Sequence, residues 1–406
     1  MKGNLVIGQS GGPTAVINAS VAGIVSGAVK QGFDGEILGM VNGIEGLLNE
    51  DFLDLKRFSD KDEKEALIDT PSAYLGSCRF KLPKPEEDPG IYEKIFNIIK
   101  KRNIRYFLYI GGNDSMDTVY RLSEYARGRD WEMSIVGVPK SIDNDLAGTD
   151  HCPGYGSAAK FIASSIREMA IDTGVYNLKS VLIVEIMGRN AGWLTASAAL
   201  ARNENFSAPD LIYLPEADFA PDKFLSDVED KLKEKNTVIV AVSEGIRSSD
   251  GKYICDSVAS GAVDNFGHKY LSGAGKVLEN MVRERLGVKA RAVELNVLQR
   301  CAGHLKSERD VTEALKNGED AFNAAYSGVT GMMIGLERIS DEPYEIKNTP
   351  ADIKNSANAE KKIPKEWITP GGNNVTEEFL RYARPLIEGE HHPKFSGGLP
   401  VYITRG

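Results

Sequence analysis

The chain has few of the residues that would tie it to a metal framework or a disulfide scaffold. Among 406 residues there are five histidines and four cysteines, and Cys78, Cys152, Cys255 and Cys301 form no CxxC pair. Structural zinc is therefore not expected, and neither is a disulfide framework in so long a chain. Reduced thiols in a cytoplasmic protein are the simpler expectation.

The chain also lacks a dense basic block and a long uncharged apolar stretch. Its 58 acidic and 49 basic residues give a net charge of -9, which argues against nucleic-acid binding. No apolar run approaches membrane-spanning length, so no membrane association is expected. The N-terminal apolar run is broken at Gln9–Pro13, which is typical of a strand and a loop rather than a secretory signal.

What the sequence does contain is an alternation of short apolar runs with longer amphipathic stretches. Helical spacing predicts helices over Thr14–Lys30 and Tyr92–Lys101. The apolar runs predict strands at Leu5–Gly8, Tyr106–Ile110, Ser134–Val138, Val181–Val184, Leu211–Leu214, Thr237–Val242 and Gly331–Gly335. This pattern indicates an α/β fold with largely parallel sheets covered by helices on both faces. In such sheets ligands bind at the carboxyl ends of the strands.

Two predicted strand ends carry paired glycines. Gly11-Gly12 follows the first strand, and Gly111-Gly112 follows the strand that ends at Ile110. Glycine lets backbone N–H groups approach an oxyanion, although a Gly-Gly-Pro turn alone is more often just a turn. In the second loop Asn113 can offer an oxygen to hydrated magnesium, whereas Asp114 or Ser115 equally suits a helix N-cap.

A third strand end, Pro139–Asp145, combines a lysine, an amide and two carboxylates. Asp143 and Asp145 are two positions apart, so in an extended segment they point the same way. One carboxylate would then accept a hydroxyl proton, and the other would hold a metal-bound water or a neighbouring cation such as Lys140. A solvated Asp-Asn-Asp turn is the alternative. A calcium loop is rejected because its glycine and later glutamate are missing.

The second half of the chain adds acidic and basic groups at further strand ends. Glu185–Gly192 closes one apolar run, and Val242–Gly245 closes another. Arg291 and Arg300 lie on one later segment, and arginine forks suit a phosphate monoester. Surface ion pairing is the alternative for arginines in general.

Taken in order, these loops resemble those of the phosphofructokinase family. The resemblance covers about residues 3 to 338 and rests on Gly11-Gly12, Leu75–Arg79, Gly111–Ser115, Ser141–Asp145, Met187–Arg189, Glu244 and Leu298–Arg300. It implies two domains, each with a largely parallel sheet flanked by helices, and an active site in the cleft between them. The implied divisions are a phosphoryl-donor domain (1–154 with about 299–338), a sugar-phosphate domain (155–298) and a C-terminal extension packed on the body (339–406).

The resemblance also implies a role for each site residue. Asp143 matches the general base that takes the proton from the sugar's C1 hydroxyl. The positions that match the sugar-phosphate site, some of which a neighbouring subunit supplies in the family, are Ser141, Ile142, Asp143, Met187, Gly188, Arg189, Glu244, Arg291 and Arg300. The positions that match the donor site are Gly11, Gly12, Arg79 and Lys140. Asn113 lies where the family holds its Mg²⁺ cofactor, and a homodimer or homotetramer is expected.

Two positions bear on the phosphoryl donor. ATP-using members resemble Gly-Gly-Asp-Gly-Ser in the second loop and carry glycine before Thr-Ile-Asp-Asn-Asp. Asp114 and Lys140 replace those glycines here, which resembles the pyrophosphate-dependent branch. A carboxylate at 114 would repel the α-phosphate of a nucleotide, and a lysine at 140 can neutralise pyrophosphate.

The resemblance thus implies reversible transfer from pyrophosphate to fructose 6-phosphate. An ATP-dependent enzyme and a non-catalytic sugar-phosphate sensor are the alternatives. Asn113, Ser180 and Val297 depart from common family residues, so a longer acceptor such as sedoheptulose 7-phosphate stays open.

Overall fold

A computed structural model of the protein describes residues 2–257, 273–356 and 359–405. Its strands in these ranges are β1 (Asn4–Gln9), β2 (Ile37–Met40), β3 (Phe52–Asp54), β4 (Ile104–Gly111), β5 (Ser134–Pro139), β6 (Ser180–Ile186), β7 (Leu211–Tyr213), β8 (Thr237–Ser243), β9 (Lys289–Glu294), β10 (Lys306–Ser307), β11 (Met332–Asp341), β12 (Tyr344–Asp352), β13 (Glu390–His391), β14 (Phe395–Ser396) and β15 (Leu399–Pro400).

The α-helices of the same ranges are α1 (Ile17–Lys30), α2 (Ile44–Asn49), α3 (Lys61–Asp69), α4 (Pro89–Lys101), α5 (Asn113–Arg127), α6 (Tyr155–Gly174), α7 (Trp193–Ser197), α8 (Pro221–Glu234), α9 (Ala274–Leu286), α10 (Leu298–Cys301), α11 (Glu308–Tyr326), α12 (Ile353–Ser356) and α13 (Glu377–Ala383). Short 3-10 helices lie at Lys56–Ser59, Ala198–Ala201, Ile254–Ser257, Gly303–Leu305, Lys365–Trp367 and Arg384–Ile387.

Two sheets organise the molecule. The first has the order β12-β11-β5-β4-β1-β2-β3, and only its two edge strands, β12 and β3, run antiparallel to their neighbours. The second, β7-β8-β6-β9, is parallel throughout. The predicted α/β class with parallel-rich sheets is therefore confirmed. The predicted strands are all present, and most of their ends shift by no more than two residues. The strand predicted at Gly331–Gly335 continues to Asp341 as β11, and the first helix begins at Ile17 rather than Thr14.

The chain crosses between the sheets twice. It leaves β5 through the loop 140–154 and α6, forms β6 to β9, and returns through α10 and α11 to β11. β1 has β2 on one side and β4 on the other, so the chain changes direction in the first sheet at β1. Ligand crevices form at such a reversal, beyond the carboxyl ends of the strands.

The last part of the chain is built into both halves. β12 is an edge strand of the first sheet, whereas Phe379 and Tyr382 of α13 are buried in the same core as Trp193 of α7. The division into a donor domain, a sugar domain and a C-terminal extension stays a prediction. In the described ranges, no helix combines the length and apolarity that crossing a membrane requires.

Backbone-to-backbone contact between α1 and α11 fixes the first loop. A Cβ atom at Gly23 would overlap the carbonyl oxygen of Leu315, and one at Gly318 would overlap that of Ser20. The two helices can approach this closely only because glycine has no side chain. Since α1 directly follows the Gly11-Gly12 loop, this packing also sets where that loop lies.

Adding one methyl group at the α1–α11 contact should strongly destabilise the fold. Gly23→Ala should lower the free energy of unfolding by about 3 kcal/mol, because the overlapped atom is main chain and cannot rotate away. Urea titration measures the change. Gly174→Ala is the matched control, since Gly174 ends α6 and a Cβ atom there would have no neighbouring atom within 4 Å. Equal effects of the two substitutions would contradict this account of the packing.

Candidate active site

The register of three parallel strands brings three loops to one edge of the first sheet. Gly111 at the end of β4 pairs with Pro139 at the end of β5, and the Lys140 N–H donates to the Gly111 carbonyl at 3.1 Å. On the other side of β4, the Ser10 N–H donates to the Ile110 carbonyl at 3.0 Å. The segments after β1, β4 and β5 therefore leave the sheet side by side.

Between these loops and the second sheet lies a cleft of about 460 Å³. Its lining includes most of the predicted site residues, namely Gly11, Gly12, Arg79, Asn113, Asp114, Lys140, Ser141, Ile142, Asp143, Met187, Arg189, Glu244 and Arg300. Gly188 adjoins it, because its N–H donates to a carboxylate oxygen of Glu244 at 3.2 Å. Arg291 is not in this lining: it is exposed on β9, the edge strand of the second sheet.

Lys140 and Arg300 bring two positive charges to the bare backbone of the first loop. Lys140 Nζ donates to the Gly12 carbonyl at 2.6 Å. A Cβ atom at Gly11, where φ is +75°, would lie 3.3 Å from that nitrogen, and one at Gly12 would lie 3.4 Å from the Arg300 guanidinium. Glycine thus leaves room beside both cations. Burial lowers the pKa of Lys140 to about 8, although Asp143 and Asp145 oppose the shift.

The Leu75–Arg79 motif is hydrogen-bonded to the Gly11-Gly12 loop. Ser77 Oγ donates to the Gly11 carbonyl at 2.5 Å, and the Gly11 N–H donates to the Cys78 carbonyl at 3.3 Å. The C-terminal tail holds this motif in turn, since the Arg405 guanidinium donates to the Leu75 carbonyl at 3.1 Å. Arg79, at the end of the motif, lines the cleft.

The second glycine loop opens directly into α5. Gly112 is the N-cap and no side chain caps the helix, so Asp114 is not a capping residue. Asn113 Nδ2 donates to Asp145 Oδ2 at 3.0 Å, whereas Asn113 Oδ1 is buried without a hydrogen-bond partner. An unpaired buried carbonyl oxygen is unusual and suits a ligand that the protein itself does not supply.

The Ser-Ile-Asp-Asn-Asp segment bends instead of running extended, so that expectation was wrong. Asn144 has a φ of +55°, a left-handed conformation that asparagine tolerates. Both carboxylates nevertheless line the cleft. Asp145 is occupied by protein donors, because its Oδ1 accepts from Ser141 Oγ at 2.8 Å while its Oδ2 accepts from Asn113. That leaves Asp143 as the carboxylate available for chemistry.

Burial and the neighbouring Asp145 carboxylate raise the pKa of Asp143 to about 7, while Lys140 and Arg189 oppose the shift. A carboxylate whose pKa lies near neutrality is about half ionised at neutral pH and can accept a proton from a hydroxyl group. A carboxylate with such a pKa is suited to proton transfer, which a solvated turn would not require.

The wall opposite is formed by the ends of β6 and β8. Gly188 has a φ of +129°, and a Cβ atom there would lie 2.6 Å from the Ala191 carbonyl. Burial raises the pKa of Glu244 to about 7, which the Gly188 N–H and Arg189 oppose. The Arg189 Nε is buried without a hydrogen-bond partner, which suits a guanidinium that binds an anion.

Sequence reasoning missed one part of the cleft. Ala359 and Glu360 line it, and Glu360 forms a β-bridge with Leu146 just after the Asp143 segment. No local pattern distinguishes these residues, because their position depends on a contact more than 200 positions away in the chain. With Glu360 the lining has five acidic side chains (Asp114, Asp143, Asp145, Glu244 and Glu360) against four cationic ones (Arg79, Lys140, Arg189 and Arg300).

A comparison with known families matches residues 4–325 to the model described as Phosphofructokinase. The chain belongs to the phosphofructokinase family. The family predicted from the loop motifs is therefore confirmed. Proteins named pyrophosphate–fructose 6-phosphate 1-phosphotransferase are 41% identical in Methylococcus capsulatus and 42% identical in Xanthomonas campestris. Both matches cover 99% of this chain, and 95% and 96% of those proteins.

Solved structures agree with this placement in the phosphofructokinase family. A crystal structure titled pyrophosphate-dependent phosphofructokinase, from Nitrosospira multiformis, superposes with a TM-score of 0.89 at 38% identity, covering 98% of this chain and 95% of that one. The matched relatives extend past residue 325, where the family model ends. The segment that carries Glu360 therefore lies within the length that these proteins share.

Proposed function

We propose that this chain is a pyrophosphate:fructose 6-phosphate 1-phosphotransferase, which reversibly forms fructose 1,6-bisphosphate and orthophosphate. The observation that carries the proposal is the placement of Lys140 and Asp114 in one cleft with Asp143. The names of the relatives that match nearly the whole chain support the same donor and acceptor.

In the proposed reaction Asp143 accepts the proton of the sugar's C1 hydroxyl. The resulting oxygen attacks the nearer phosphorus of pyrophosphate, the bridging P–O bond breaks, and orthophosphate leaves with the bond's electron pair. Lys140, beside the Gly12 carbonyl, and Arg300 stabilise the charge that spreads over the transferred group. Met187, Gly188, Arg189 and Glu244 hold the sugar phosphate. Gly11, Gly12 and Arg79 hold the donor.

The composition of the cleft suits a bound magnesium ion. Five acidic against four cationic side chains leave too little positive charge for two phosphorylated substrates. Among the described residues no cluster of three or more His, Cys, Asp or Glu side chains is arranged to hold a metal. The partnerless Asn113 Oδ1 would hold the ion. Bound magnesium would neutralise charge on the pyrophosphate.

The charge at position 114 argues against the ATP-dependent alternative. Asp114 lies in the first turn of α5, where a phosphate would otherwise meet a favourable helix N-terminus. A carboxylate there would crowd and repel the α-phosphate of a nucleotide. Pyrophosphate has no counterpart of the α-phosphate, so the same carboxylate would not exclude the shorter donor.

A shared site in an oligomer is part of the proposal. Arg291 is exposed on an edge strand and lies outside the cleft of its own chain. A homodimer or homotetramer in which Arg291 contacts the sugar phosphate of a second subunit accounts for that placement.

We also propose a cytoplasmic location, which the four unpaired cysteines suit.

The first prediction concerns the donor. Asp114→Gly combined with Lys140→Gly should create measurable turnover with ATP, because the repulsive carboxylate is gone, and should cost pyrophosphate-dependent turnover about 100-fold or more, because the cation is gone. Initial rates with both donors, at saturating fructose 6-phosphate, measure the switch. Asp114→Asn is the control that keeps the size of the side chain while removing its charge. If the ratio of ATP-dependent to pyrophosphate-dependent turnover is unchanged in the double variant, these two residues do not determine the donor.

The second prediction concerns pH. Asp143 must be ionised and Lys140 protonated, so kcat/KM should fall below about pH 7 and above about pH 8, after correction for the ionisation of pyrophosphate. Asp143→Ala should lower kcat by at least about 1,000-fold. Lys140→Met should have a lower kcat/KM than the wild type, and its kcat/KM should no longer fall above about pH 8. Near-wild-type turnover of Asp143→Ala would remove Asp143 as the base.

The third prediction concerns the metal. Asn113→Asp would place a second carboxylate against Asp145, which should destabilise the metal-free protein by about 1 kcal/mol. Magnesium should then raise the unfolding temperature of this variant more than that of the wild type. Asn97→Asp, which adds the same charge at an exposed position of α4, is the control. An equal magnesium response in all three proteins would argue against an ion at Asn113.

A further inference from the structure

A tyrosine far along the chain contacts the residue next to the proposed base. Tyr382 lies in α13, beyond the stretch matched by the family model, and its side chain is buried. Its hydroxyl accepts a hydrogen bond from Asn144 Nδ2 at 2.8 Å and donates one to the Asp150 carbonyl at 2.7 Å. The hydroxyl thus joins Asn144, next to Asp143, to Asp150 further along the same loop.

Asn144 is fully engaged by the protein and leaves no group for substrate. Its Oδ1 accepts from the Cys152 N–H at 2.9 Å, its Nδ2 donates to Tyr382, and no part of its surface is exposed. Its φ of +55° directs the Asp143 and Asp145 carboxylates into the cleft from a single tight turn. The two side-chain hydrogen bonds hold a conformation that non-glycine residues adopt infrequently.

The ring of Tyr382 is itself fixed on several sides. Its centroid lies 5.2 Å from that of Trp193 and 5.4 Å from that of Trp367. The Arg338 guanidinium lies 4.7 Å over the ring and pairs with the Asp150 carboxylate at 3.0 Å. Trp193 belongs to the helix that follows β6, so the position of the hydroxyl depends on both halves of the molecule.

We propose that Tyr382 is a positioning residue for catalysis: it holds Asn144 in the bend that directs the Asp143 carboxylate at the sugar's C1 hydroxyl. The inference rests on the assignment of Asp143 as the base under the proposed function. Tyr382 does not line the cleft, so its loss should affect the reacting geometry more than the binding of either substrate. Small displacements of a reacting group are costly, whereas binding is spread over many contacts.

Tyr382→Phe tests the proposal because it removes the hydroxyl and keeps the packed ring. We expect kcat to fall about 10- to 100-fold while KM for pyrophosphate and for fructose 6-phosphate stays within about twofold. The control is Tyr213→Phe on β7, an edge strand of the second sheet; its side chain is also buried, and its hydroxyl donates to Asp227 Oδ2 at 2.9 Å. Tyr382→Phe should lose kcat, whereas Tyr213→Phe should keep it.

A second variant measures the same bond from its other end. Asn144→Ala leaves the tyrosine hydroxyl in place, and the double variant with Tyr382→Phe should lose no more kcat than Asn144→Ala alone. Additive losses would show that the two residues act separately, and a Tyr382→Phe enzyme with the kcat of the Tyr213→Phe control would equally overturn the proposal. Asp143→Ala distinguishes failure of the base assignment from failure of the proposed role of Tyr382. If Asp143→Ala retains turnover, Asp143 is not the base, whatever the effect of Tyr382→Phe.

Discussion

The pairing of β4 with β5 determines where the groups of the cleft lie. Gly111 pairs with Pro139, so β4 and β5 end at the same edge of the sheet. The end of β1 places Gly11 and Gly12 next to them. Parallel strands can be aligned this way only when long crossovers join them, and those crossovers are the helices that cover the sheet. The packing of α1 on α11 through Gly23 therefore serves the site as well as the core.

Within that geometry, charge rather than shape accounts for the chemistry we propose. Lys140 is buried and Asp143 is partly buried, and desolvation shifts their pKa values towards each other from opposite ends of the scale. Each ion also opposes the shift of the other, which keeps both charged forms accessible near neutral pH. The same two loops carry Asp114, so the groups proposed to activate the donor and to reject a nucleotide have positions set by one pair of strands.

The fold class could be predicted from local signals in the sequence, and most of the cleft from those signals together with the resemblance to the phosphofructokinase family. Apolar runs mark the strands, and polar motifs such as Ser141–Asp145 come directly after them. The bend at Asn144 could not be predicted, because it depends on Tyr382, 238 positions away. Glu360 was missed for the same reason, since its bridge to Leu146 leaves no periodic pattern. The residues that the sequence does not reveal are those held by tertiary contacts of the C-terminal part.

That C-terminal part contacts two segments beside the cleft, the loop 140–154 and the Leu75–Arg79 motif. Tyr382 holds the bend beside Asp143, Glu360 bridges the residue after that bend, and Arg405 holds the Leu75 carbonyl under the first glycine loop. The cleft needs such support, because it leaves polar atoms of Asn113 and Arg189 buried without partners. Unpaired buried groups destabilise a folded protein unless well-packed surroundings compensate. Contacts from outside the cleft can hold the loops without occupying those groups, so under the proposed function residues remote from the reacting atoms would still contribute to the site.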